Sequence, residues 1–75
     1  MSDRLPRITG KQLLAALQRL GFEIVRVRGS HHFLRDGEGH TTLVPVHSRE
    51  TIGPGLLGKI LRDCELTKER LRESL

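Results

Sequence analysis

Four histidines crowd into one short stretch of this 75-residue chain: His31, His32, His40 and His47. Imidazole titrates near neutrality, so it can take a proton or give one at cellular pH. An RNA phosphodiester breaks when a base removes the 2′-hydroxyl proton and an acid protonates the departing 5′-oxygen. Histidine can fill either role, each worth about 10²–10⁴-fold in rate. Arg26, Arg28 and Arg35 flank the pair at 31 and 32, and guanidinium forks suit a charged phosphorane. This route uses no metal and no cofactor.

Plainer readings compete. Surface histidines often have no role. Zinc held by three of the histidines is a second chemistry, but Cys64 is remote and no nearby pair shows a usual ligand spacing. Gly29 can simply supply the positive φ of a turn, and Ser30 can simply hydrogen-bond the turn backbone.

Composition narrows the partners. Thirteen basic residues, ten of them Arg, oppose nine acidic ones, for a net charge of +4 and a pI near 10.2. That balance favours a polyanion, nucleic acid before lipid, because no stretch joins clustered Lys and Arg to a broad apolar face. A lone Cys64 forms no internal disulfide and reads as cytosolic. Residues 1–7 are polar and charged, unlike a leader peptide, and no apolar run approaches the roughly 20 residues of a membrane span. A chain of this length is expected to form a single domain, 1–75, with a small core. Phe22 and Phe33 are the only aromatic residues, so Leu, Ile and Val must build that core.

The elements that position the histidines follow from local signals. Thr9 and Gln12 form a capping box before a helix over Gly10–Leu20, with Ile8 and Leu13 as its staple and Gly21 as its stop. Leu13, Leu14, Leu17 and Leu20 supply its apolar face. Phe22–Val27 is a strand with imperfect alternation: Phe22 and Ile24 share one face, Val25 and Val27 the other. Arg28-Gly29-Ser30 turns into a strand over His31–Arg35, and Asp36-Gly37-Glu38-Gly39 turns into a third over His40–Val46, where Pro45 marks an edge. Pro54 opens a helix with Leu56, Leu57, Ile60 and Leu61 on its apolar face, and Thr67 caps a last one carrying Leu71 and Leu75. Helices at both ends of a meander should cover one sheet face and leave the other open. An antiparallel meander brings His31, His32 and His47 to one end and sends His40 to the other. Strict alternation sets His31 on the side of Phe33, a natural core residue, so either the turn twists His31 outward or it sits at the rim of the sheet.

Together these segments resemble the HicA (YcfA-like) family. Ile8-Thr9-Gly10-Lys11, Gly21-Phe22, Arg28-Gly29-Ser30-His31-His32-Phe33, Val44-Pro45-Val46-His47, Gly53-Pro54-Gly55-Leu56-Leu57 and Ile60-Leu61 carry the likeness, over about Ile8 to Leu71. The resemblance implies an α+β fold like double-stranded RNA-binding domains, α-β-β-β-α, with a three-stranded antiparallel sheet and helices on one face. It implies a type II toxin: a ribosome-independent mRNA endoribonuclease, restrained by a HicB-like antitoxin. The family's functional histidine follows Gly-Ser directly and maps to His31; His47 is a second candidate. Lys11, Arg26, Arg28, Ser30, His32, Arg35 and Lys59 are the candidate RNA contacts, with Gly29 structural. A non-catalytic RNA-binding module, reading an A-form helix by shape, is the alternative. A regulatory module whose open sheet face docks another protein is a third.

Overall fold

The computed structural model describes residues 5–75. The leader reading rests on residues 1–7, of which 1–4 lie outside that range. The elements are α1 (Gly10–Arg19), β1 (Glu23–Arg28), β2 (His31–Arg35), β3 (Thr41–Pro45), α2 (Pro54–Cys64) and α3 (Lys68–Ser74). The sheet is an antiparallel meander in the order β1-β2-β3. This is the α+β order expected, the short terminal helix after Thr67 included.

Local chemistry starts and stops the helices as anticipated. The Gln12 N–H donates to Thr9 Oγ1 (3.1 Å) and the Thr9 N–H donates to Gln12 Oε1 (2.8 Å), completing the capping box. Gly21, at φ 100°, follows the end of α1. Thr67 caps α3, accepting from the Arg70 N–H at 3.1 Å. On α1 the buried positions are Gly10, Leu13, Ala16 and Leu17, while Leu14 and Leu20 are half-buried at the rim. On α2 they are Leu57, Ile60, Leu61 and Cys64, and Leu56 is turned outward.

One cluster forms the core: the helix faces, Ile8, Phe22, Ile52 and Leu71, with Leu34 and Val44 from the sheet. The helices therefore cover the face that carries Leu34, Thr42 and Val44. Here one expectation needs correcting. His31 and Phe33 do share a face, but it is the open one, and Phe33 is half-buried rather than part of the core. No twist is needed to bring His31 to solvent.

A bulge in β1 explains the imperfect alternation. The ladder pairs Glu23 with Arg35 and Ile24 with Leu34, slips by one residue, then pairs Arg26 with Phe33, Val27 with His32 and Arg28 with His31. An extra residue inverts every side chain beyond it. Without Val25 as that extra residue, Arg26 and Arg28 would point at the helices. With it, they stand on the open face beside Phe33 and His31.

Candidate active site

The site is built around a two-residue turn. Gly29 has φ +60° and Ser30 a negative φ, the signature of a II′ hairpin turn with Gly at its first position. The Ser30 carbonyl accepts from the Val46 N–H at 2.8 Å, tying the turn to the exit of β3. His31 then opens β2, between Arg28 on one side and Pro45 on the other. Its ring is exposed and makes no hydrogen bond or ion pair with any described residue.

His32 faces the opposite way. It is half-buried on the helix side, and its Nδ1–H donates to the Ser30 carbonyl at 3.2 Å, so it braces the turn. His47 is exposed two residues beyond Pro45, at the same end of the sheet as His31. Lys11 is exposed at the start of α1. Its neighbour Gly10 is buried against β3, where an added Cβ would lie 2.2 Å from the Pro45 carbonyl oxygen. That close approach docks the N-terminus of α1 beside the turn end, a constraint invisible in the capping signal.

The candidate RNA contacts do not all gather there. Arg26 and Arg28 share the open face with His31, and the Arg26 guanidinium lies 5.9 Å from the centroid of the Phe33 ring. Arg35 is on the same face but at the far end of β2, opposite Glu23 and Thr41. Lys59 is on α2, paired with Asp63 at 3.0 Å.

His40 is set apart from the other histidines, as the meander requires, and it has a different environment. Its Nδ1 is 2.7 Å from Asp36 Oδ2, and its Nε2 meets Glu65 Oε2. Asp36 Oδ1 also accepts from the backbone N–H groups of Glu38 and His40. The hydrogen bonds to Asp36 and then Glu65 raise the His40 pKa above its ordinary value, against the opposing effect of burial. Burial pushes the Asp36 carboxyl upward, but the bonds from His40 and Glu38 outweigh it and leave the pKa lowered. Next to Glu65, burial and the neighbouring Asp63 charge push the Cys64 thiol up to about 12. Among the described residues no group of three or more His, Cys, Asp or Glu is arranged to hold a metal, so the zinc reading finds no ligand set there.

The model of the family described as HicA toxin of bacterial toxin–antitoxin matches residues 10–66. The chain belongs to the HicA toxin family. No curated protein matches it. The HicA match begins at the glycine packed on Pro45 and ends just past the C-cap of α2. It therefore spans α1, the whole sheet and α2, and leaves α3 outside. Toxin–antitoxin biology is thereby the setting of this HicA chain, and its helices are all too short to cross a membrane among the described residues.

Proposed function

We propose that this HicA toxin is a metal-independent mRNA endoribonuclease in which His31 moves the proton. The observation that carries the reading is the free, exposed His31 ring on an open face flanked by Arg26 and Arg28. As base, imidazole takes the 2′-hydroxyl proton; the 2′-oxygen attacks phosphorus, and the 5′-oxygen leaves with a proton, giving a 2′,3′-cyclic phosphate and a 5′-hydroxyl. His47, at the same end of the sheet, is the candidate for the second proton transfer. Arg28, the ladder partner of His31, is placed to meet charge on the phosphoryl oxygens.

A HicB-like antitoxin would silence such a site by covering the Gly29–Ser30 turn with carboxylates that match its arginines. The test is cleavage of an end-labelled RNA by wild type, His31→Ala and His47→Ala, with and without EDTA, and with circular dichroism as folding control. Cleavage that survives EDTA and is lost in folded His31→Ala supports the assignment. Equal cleavage by wild type and His31→Ala overturns it. RNA bound but never cut by wild type returns the chain to the RNA-binding module.

A further inference from the structure

The chain has two aromatic side chains and buries only one of them. Phe22 is 4% exposed in the core, whereas Phe33 stands on the open sheet face, between His31 and Arg35 along β2. Beside it a groove of about 500 Å³ takes in Arg26, Phe33 and Leu43 together with Thr42 of the covered face and Lys59 and Asp63 of α2. The apolar floor is Phe33 with Leu43, its ladder partner on β3. The groove's cations are Arg26 and Lys59, and its one carboxylate, Asp63, is engaged by Lys59 and Thr42; Arg28 and Arg35 stand on the same open face beyond it.

We infer that this groove is a nucleobase subsite, in which one base of a single-stranded RNA stacks on Phe33 while the adjoining phosphate lies at His31. The inference rests on the RNA-cleaving reading above and adds to it the strandedness of the substrate and a binding residue. An anionic chain with flat aromatic groups is the occupant that matches an aromatic floor with Arg26 over it and further arginines on the same open face. Phe33 and His31 are two residues apart on one strand, about 7 Å at the usual rise, so one nucleotide can reach both. A duplex keeps its bases inside its own stack and offers this groove no ring. The Arg26 guanidinium lies over this ring, 5.9 Å from its centroid and near the outer limit of the cation–π range of about 6 Å, and a stacked base takes its place there.

The chain contains no Trp, so Phe33→Trp installs a single fluorophore in the groove. In a His31→Ala background, which prevents turnover, indole emission should be quenched by a short single-stranded RNA. The same sequence in a blunt duplex and an abasic strand of equal length should leave it unchanged. With His31 intact, Phe33→Leu should raise KM for the single strand roughly 5- to 150-fold, the usual range for one lost base stack, and Phe33→Tyr should restore it. Quenching by the abasic strand or the duplex, or an unchanged KM in folded Phe33→Leu, overturns the subsite while cleavage by wild type leaves the nuclease reading standing. An indole that responds to a co-purified antitoxin but not to RNA makes the groove a protein site and overturns the inference. Base-dependent quenching in a protein that never cleaves supports the subsite and overturns the nuclease reading instead.

Discussion

The two ends of the sheet use the same side chain in opposite ways. At the hairpin end, His40 is bonded through both ring nitrogens, to Asp36 in its own loop and to Glu65 at the C-cap of α2. Glu65 has φ 53°, a left-handed conformation that costs a non-glycine residue about 1–2 kcal/mol, and the bond to His40 helps hold it there. At the turn end, His31 has no such partner, and what fixes its position is backbone: the Gly29 turn, the Ser30 carbonyl bond and the packing of Gly10 on Pro45. A histidine committed to two carboxylates is a strut. One held in place by its backbone with its nitrogens free can exchange protons with a substrate.

Breaking each end in turn should expose this division. The largest effect is expected at the turn end: His31→Ala should lower the cleavage rate by about 10²–10⁴-fold with little change in Tm, because no side-chain hydrogen bond or ion pair is lost. His40→Ala should do the reverse, lowering Tm while leaving kcat near wild type. Comparing single-turnover rates and melting curves for the two variants checks both; a stable but inactive His40→Ala would erase the distinction.

Next in size is Gly10→Ala. The new methyl meets a carbonyl oxygen at 2.2 Å, and overpacking of this kind costs about 1–3 kcal/mol. For a domain of this length each kcal/mol lowers Tm by about 4–8 °C. Activity should fall with it below the melting range, since the displaced α1 lies against the exit of β3. An unchanged Tm would show that the helix end yields freely.

A smaller effect separates the ends by pH. The His40 pKa is raised in the folded protein above the ordinary 6.5, so its stabilisation is complete below about pH 6.5 and is lost as pH climbs through the folded value. The Asp36 pKa is lowered from 3.8, so its contribution is present above pH 3.8 and is lost as pH falls through the folded value. Tm should therefore be highest between these limits and decline on the alkaline side. His40→Gln should flatten that decline, and His31→Ala should leave it unchanged. The smallest signal is Cys64, whose buried thiol adjoins Glu65: native alkylation should be slow, and faster in His40→Ala but not in His31→Ala. Equal alkylation rates in the two variants would mean that the strut does not hold this corner closed.

Much of this arrangement was legible in local signals. Thr9 with Gln12, Gly21, Gly29, the Asp36–Gly39 loop, Pro54 and Thr67 each act within a few residues of themselves, so helix starts, stops and turns could be read directly, and the Gly-Ser-His segment located the turn. The ends of the sheet were legible too, because a meander with short turns leaves little freedom. Three features were not. Alternation shows that His31 and Phe33 share a face but not which face is covered, since β2 offers Phe33 to one side and Leu34 to the other. That choice depends on the bulge at Val25, which sets two arginines beside Phe33 and makes that side too costly to bury. The His40 strut joins residues 25 positions apart, and the Gly10 contact joins the first helix to the last strand. Such pairings carry no mark in the chain, because they exist only once the sheet and helices have packed.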